Sequence, residues 1–82
     1  MVLKKYGMVK IGEKEIISNM KLYEIPERQN IKLYFDDTVV IFDHIDGFYS
    51  YCWLEEDKNK IVHIKSTAKF EKYKDGYKYV KE

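Results

Sequence analysis

Short β-forming segments alternate with turn residues along this chain from Ile31 onward. Val, Ile, Tyr and Phe dominate the segments, whereas Asp, Asn, Gly and Lys fill the breaks between them. Asp46-Gly47 is the strongest break, because this dipeptide accepts the positive φ of a two-residue hairpin turn. The alternation is typical of an all-β meander.

Five strands are predicted from these breaks, at residues 31–35, 38–45, 48–56, 61–70 and 77–80. A chain of 82 residues makes one small domain, and a meander of this size usually curls into an SH3-like or OB-like barrel. We therefore expect a single mainly β domain over residues 1–82. A five-stranded antiparallel barrel would occupy residues 31–80, and residues 1–25 would form an N-terminal covering segment.

The N-terminal covering segment has two interpretations. Ile16, Met20 and Tyr23 lie at helical spacing, and Pro26 would end a short helix that contains them. Alternatively, residues 8–17 form a β-hairpin around Gly12. Both interpretations stay open.

Three turns set the register of the predicted sheet, at Asp46-Gly47, at Asp36-Asp37 and in a loop centred on Lys58-Asn59. They place Phe42 opposite Tyr51, Leu33 opposite Val40, and Trp53 opposite Ile64. Because successive side chains point to opposite sides of a strand, all three turns agree on one apolar face. The predicted interior comprises Ile31, Leu33, Phe35, Val40, Phe42, His44, Tyr49, Tyr51, Trp53, Val62 and Ile64.

The opposite, outer face of the predicted sheet carries an apolar stripe with a polar border. Contiguous exposed apolar surface usually marks an interface, although residues 1–25 could instead cover the stripe. The stripe and its acidic border form the predicted protein-binding site. Its residues are Tyr34, Val39, Ile41, Asp43, Leu54, Glu55 and His63.

Charge is unevenly distributed and suggests a second kind of partner. Residues 36–57 carry seven acids and no base, whereas residues 58–82 carry eight lysines against three acids. Lysines and tyrosines alternate near the C-terminus, which suits contacts with single-stranded nucleic acid. Net charge of +1 and fourteen lysines to one arginine disfavour this class, and pairing of oppositely charged strands is the competing explanation. The predicted nucleic-acid-binding residues are Lys65, Lys69, Lys72, Tyr73, Lys74, Tyr77, Lys78 and Tyr79.

Catalytic and metal chemistry have little support in the sequence. Cys52 and His63 both lie on the predicted outer face and could be considered as a nucleophile and its base. No third residue is placed to orient them. His44 and His63 fall on opposite faces, which separates the two histidines that a metal site would use. We predict no catalytic residue, no metal and no cofactor.

A single cysteine and the absence of an apolar leader at the start favour a reducing, cytoplasmic setting. The longest apolar runs are too short to cross a membrane. The expected function is therefore a small non-catalytic binding protein, acting as an adaptor, inhibitor or regulator. Its partner would be another protein or a second copy of the chain, and nucleic-acid or nucleotide binding is the alternative.

Overall fold

The computed structural model describes residues 19–81. Within this range a 3-10 turn spans Leu22–Glu24 and directly follows the first strand. The strands are β1 (Met20–Lys21), β2 (Ile31–Tyr34), β3 (Val39–Asp46), β4 (Tyr49–Leu54), β5 (Asp57–Val62), β6 (Lys69–Tyr73) and β7 (Gly76–Tyr79).

All seven described strands belong to one mixed sheet in the order β1-β6-β7-β2-β3-β4-β5. Neighbours run antiparallel except β2 and β7, which pair in parallel. The mainly β prediction is confirmed. The prediction of a closed five-stranded barrel is wrong, because the sheet does not close and the β2–β7 pairing brings together strands that are distant in the chain.

The β2–β3 hairpin has the predicted register. Leu33 lies opposite Val40, as the turn at Asp36-Asp37 requires, and the Phe35 amide donates to the Thr38 carbonyl oxygen at 2.8 Å across that turn. Local turn chemistry is sufficient to set this pair of strands.

The β3–β4 hairpin departs from the predicted register in two ways. Its turn is Gly47-Phe48, with Gly47 at a φ of 68°, and the register shifts at a bulge between Phe42 and His44. Because side chains alternate between faces, a one-residue shift moves a strand's side chains to the other face. Phe42 consequently lies opposite Cys52 and not Tyr51.

The predicted interior is therefore wrong for the aromatic side chains of β4. Cys52 is fully buried and Leu54 packs against the core, whereas Tyr49 and Tyr51 are exposed by 50% and 40%. His44 pairs with Tyr51 and lies on the same outer face, which contradicts its predicted interior position.

The predicted fourth strand, residues 61–70, is divided in the structure. β4 turns through Glu55-Glu56 directly into β5, so β5 begins at Asp57, where a loop was predicted. Residues 63–68 then form an irregular connection to β6.

Residues 63–68 and the 3-10 turn cover one side of the core. The Leu22 amide donates to the Ala68 carbonyl at 2.9 Å, and the Ser66 amide donates to the Phe48 carbonyl at 2.8 Å. The buried side chains of Leu22 and Ile25 then pack into the core, at a typical gain of about 1.5 to 3 kcal/mol per side chain. The buried apolar cluster comprises Leu22, Ile25, Leu33, Val40, Phe42, Cys52 and Phe70.

The two interpretations of the N-terminal covering segment fare differently. Residues 20–24 form β1 and the 3-10 turn, so the predicted helix is wrong at its C-terminal end. Leu22 and Ile25 pack into the core. The covering role expected for residues 1–25 stays a prediction, because residues 1–18 lie outside the described residues. The hairpin around Gly12 lies outside the described residues.

Candidate protein-binding site

An exposed group of rings lies at the end of the β3–β4 hairpin. Phe48 in the turn is 87% exposed, and Tyr49 and Tyr51 follow it on the outer face of β4. Phe48 and Tyr49 line one hollow, and Tyr49, Tyr51 and His63 line the next. We refer to Phe48, Tyr49, Tyr51 and His63 as the aromatic patch.

A buried serine positions one side of the aromatic patch. Ser50, between Tyr49 and Tyr51, is fully buried, and its hydroxyl donates to the Ile64 carbonyl at 3.0 Å. The same oxygen accepts from the Ile64 amide at 3.2 Å. These two bonds hold the start of the irregular connection against β4, so His63 is placed beside Tyr51.

Tyr51 contacts a histidine on each side. The His44 ring stacks on it with centroids 5.0 Å apart, and the His63 ring meets it at 80° with centroids 4.8 Å apart. Both histidines therefore contact one tyrosine, and the prediction that they lie on opposite faces is wrong. Two features that the turn signals did not reveal account for the difference. The Phe42/His44 bulge moves His44 and Tyr51 to the outer face, and β5 pairs Ile61, not Ile64, with Trp53, which places His63 on the face of Tyr51.

Hydrogen bonds hold both histidine rings in place. The Nδ1 of His63 lies 2.9 Å from the Ser50 carbonyl oxygen, and it must donate because that oxygen only accepts. The Nδ1 of His44 lies 2.6 Å from an Asp43 carboxylate oxygen. The two rings that contact Tyr51 are therefore fixed by hydrogen bonds.

A cavity of about 400 Å³ opens within the aromatic patch. Asp46, Tyr49, Ser50, Tyr51 and His63 line it. Its walls combine aromatic rings with one carboxylate, which suits an apolar or cationic group more than an anion.

The predicted protein-binding residues lie on different faces of the sheet in the structure. Tyr34, Val39 and Ile41 lie on the outer face as predicted, although Ile41 is only 9% exposed between its cross-strand neighbours. Leu54 packs against the core, so its predicted place on the outer face is wrong. The bulge reverses the faces of β4 relative to the first half of β3, where Val40 lies opposite Leu54.

The predicted polar border of the site is also divided. Asp43 lies at the bulge beside the aromatic patch, whereas Glu55 forms an ion pair with Lys32 at 3.0 Å. His63 belongs to the aromatic patch. These residues do not form one continuous surface.

A second group of tyrosines lies on the outer face at β2, β6 and β7. The Tyr34 and Tyr73 rings meet edge to face at 5.1 Å, and the ammonium of Lys74 lies 5.2 Å from the Tyr73 ring. The ammonium of Lys78 lies 5.3 Å from the same ring. We refer to Tyr34, Tyr73, Lys74, Asp75 and Lys78 as the tyrosine–lysine cluster.

Charge is partly neutralised within the tyrosine–lysine cluster. The Tyr34 hydroxyl donates to an Asp75 carboxylate oxygen, and the Lys32 ammonium lies 3.5 Å from the same carboxylate group. The hydrogen bond lowers the pKa of Asp75 and raises the pKa of Tyr34. The rings here are already in contact with protein groups.

The predicted nucleic-acid-binding residues do not share one surface. Tyr77 and Tyr79 pack against the core, and the Lys72 ammonium lies 5.2 Å from the Tyr77 ring. Lys69 lies opposite Lys21 of β1 in the sheet. Lys65 forms an isolated backbone β-bridge with Tyr49 at the aromatic patch. Tyr73, Lys74 and Lys78 come together in the tyrosine–lysine cluster.

Cys52 and His63 do not form a nucleophile–base pair. Cys52 is fully buried in the core, 3.3 Å from the Ser50 hydroxyl, whereas His63 lies on the outer face. Burial raises the pKa of the Cys52 thiol, which disfavours the reactive thiolate. Their predicted shared face is therefore wrong.

The turn signals missed Phe48, Tyr49 and Tyr51 as surface residues. Glycine is favoured at either position of a two-residue hairpin turn. Asp46-Gly47 was the predicted turn, whereas in the structure Gly47 takes the first position and Phe48 the second, which puts Phe48 at the hairpin tip. The sequence signal for the exposure of these residues was the possibility of a turn at Gly47-Phe48.

No family model, no curated protein and no solved structure matches this chain. Within residues 19–81 no helix has the length and hydropathy of a membrane span. The same residues contain no group of three or more His, Cys, Asp or Glu side chains arranged to hold a metal ion.

Proposed function

We propose that this chain is a non-catalytic binding protein, an adaptor, inhibitor or regulator, that recognises a protein partner through the aromatic patch. The observation that carries the proposal is Phe48, which is 87% exposed at a hairpin tip and continues into exposed Tyr49 and Tyr51. Exposed aromatic side chains are enriched among residues that dominate binding energy at protein interfaces. An intracellular site of action fits the unpaired thiol of Cys52.

The charges beside the aromatic patch favour a protein over a nucleic acid. Asp43 and Asp46 lie next to the rings and would repel phosphate. Lys65, whose backbone forms a β-bridge with Tyr49, supplies one positive charge nearby. Nucleic-acid stacking surfaces instead combine their rings with a strongly positive groove.

The proposal is tested by comparing Phe48→Ser with wild type in quantitative affinity capture, followed by titration with the purified partner. Loss of a central aromatic anchor should weaken binding at least about tenfold. Tyr73→Ser is the matched control, because it removes a ring from the tyrosine–lysine cluster. Undiminished binding by the Phe48→Ser/Tyr49→Ser double variant would rule out the aromatic patch as the contact surface.

The partner could be a second copy of the chain bound through the same aromatic patch. Sedimentation of wild type over a range of concentrations separates this case from a different partner. A dimer that the Phe48→Ser variant cannot form would identify self-association as the function of the patch.

Nucleic-acid binding is the second candidate, supported by the grouping of Lys74 and Lys78 around Tyr73. Affinity for a single-stranded oligonucleotide should fall steeply as salt rises, because bound lysines displace counterions. The Lys74→Gln/Lys78→Gln double variant should weaken binding and flatten the salt dependence. No binding at low salt, or an unchanged double variant, removes this candidate.

A further inference from the structure

The cavity in the aromatic patch has two nearly perpendicular ring walls. Tyr51 and His63 both line it and meet at 80°, and Tyr49 lines it from the next outward position of β4. In such an edge-to-face pair, one ring contacts the other through its edge. Neither face of that ring is covered by its neighbour in the pair. Three rings at different orientations therefore line the cavity, and His44 occupies one face of Tyr51.

The charge of the cavity favours a cation. Asp46 lines it, and Asp43 bonds His44, which stacks against Tyr51. Lys65 lies near Tyr49, but it lines the neighbouring hollow with Phe48 and Thr67. Ring faces attract cations electrostatically, and the Asp46 carboxylate adds a full negative charge.

We propose that this cavity binds the methylated ammonium group of a lysine side chain on the partner protein. This inference rests on the proposed function and specifies the chemistry of the group that the partner inserts. An unmethylated ammonium is strongly hydrated and has three donors to satisfy, for which ring walls are poor acceptors. Methyl groups reduce that hydration and pack on ring faces while the positive charge remains.

The test uses small probes and the full chain, so it does not require the partner. Nα-acetyl-Nε-trimethyllysine methylamide is titrated into the protein while amide NMR shifts are followed, with the largest changes expected at Ser50, Tyr51 and His63. The matched probe replaces trimethylammonium with the neutral tert-butyl group, which has the same shape. We expect the neutral probe to bind at least about tenfold more weakly, because it lacks the cation–π attraction.

Protein variants locate the site. Asp46→Asn removes the charge at an exposed position and should weaken trimethyllysine binding several-fold, and Tyr49→Leu should weaken it further. Tyr73→Ser is the control, because Tyr73 belongs to the tyrosine–lysine cluster and does not line this cavity. The affinity of this variant for the probe should equal that of wild type. Dispersed NMR spectra of each variant show that the fold is intact.

The inference is overturned if the two probes bind equally, if unmethylated lysine binds as tightly as trimethyllysine, or if the shifts cluster elsewhere. Capture of a protein partner that depends on Phe48, without any binding of trimethyllysine, overturns this inference and leaves the proposed function standing. Trimethyllysine binding that depends on Asp46, with a partner unaffected by Phe48→Ser, supports the cavity as a methyllysine site and contradicts the proposed role of Phe48 in partner binding.

Discussion

The aromatic patch and the tyrosine–lysine cluster both display tyrosines on the outer face, yet they differ in what surrounds the rings. In the tyrosine–lysine cluster, Tyr34 and Tyr73 contact each other, lysine ammonium groups lie close to their rings, and the Tyr34 hydroxyl bonds Asp75. In the aromatic patch, Tyr51 contacts two histidines, but Tyr49 is half exposed and Phe48 is almost fully exposed. Rings that already have partners stabilise the sheet, whereas rings left in solvent are available for binding.

The largest difference between the two regions is expected from their glycines. A Cβ at Gly76 would overlap the Lys32 carbonyl oxygen, where β7 approaches β2 beneath the tyrosine–lysine cluster. Gly76→Ala should lower the free energy of unfolding by about 3 kcal/mol or more, because the obstructing atom is backbone. Urea denaturation measures the loss.

Gly47→Ala is the matched change in the aromatic patch. A Cβ there meets open space, but the residue has a φ of 68°. A left-handed alanine should cost about 1 kcal/mol. Equal losses for the two glycines would contradict the close approach of β7 to β2.

The next largest effect should come from Ser50→Ala, which tests whether the aromatic patch is preformed. The change leaves the Ile64 amide without its side-chain acceptor and should cost about 1 to 2 kcal/mol. The His63 ring resonances should also shift, because the Ser50–Ile64 bonds hold that segment against β4. Stability loss with unmoved His63 resonances would show that other contacts place the ring.

A smaller effect is expected from Asp75→Asn in the tyrosine–lysine cluster. The Tyr34 hydrogen bond lowers the pKa of Asp75, so its ionised form stabilises the folded chain above the unfolded carboxyl pKa of about 3.9. This contribution is lost as pH falls through the lowered, folded pKa. Wild type should therefore exceed the variant in stability near neutral pH, and the two should converge in acid.

Thermal unfolding of both proteins from neutral to strongly acidic pH measures this convergence. Asp36, whose pKa is lowered by Lys81, destabilises both proteins alike in acid, so it cancels in the difference. A constant difference at every pH would mean that the charge of Asp75 has no stabilising role.

The smallest effect on stability is expected at Phe48. Its ring is 87% exposed, so Phe48→Ser should change the free energy of unfolding by no more than about 0.5 kcal/mol. Tyr73→Ser, which removes ring contacts in the tyrosine–lysine cluster, should be more destabilising. If Phe48→Ser costs as much, the aromatic patch is part of the fold's stabilising structure.

The β2–β3 hairpin shows how far local signals reach. Its two-residue turn places Leu33 opposite Val40, and both side chains are buried as predicted. In the next hairpin, one extra residue at the bulge exchanges the faces of β4, so Cys52 replaces Tyr51 in the core. Turn chemistry carries no information about a bulge in the middle of a strand.

The candidate site was predicted in part for the same reason. His63 and Asp43 were identified at or beside it, whereas Phe48, Tyr49 and Tyr51 were missed. Their exposure depends on the position of the turn and the bulge together. The tyrosine–lysine cluster likewise needs the parallel β2–β7 pair, which joins residues more than forty positions apart.

The sequence by itself determined that this chain is mainly β, that short turns separate its strands, and that Leu33, Val40 and Phe42 are buried. Strand propensity, alternation and turn residues act between near neighbours, so they can be recognised in the sequence. Only the tertiary structure decided the order of the strands, the face of β4 and the contacts of each tyrosine. These follow from packing between distant segments, in which Leu22, Ile25 and Phe70 complete the core that the central strands begin.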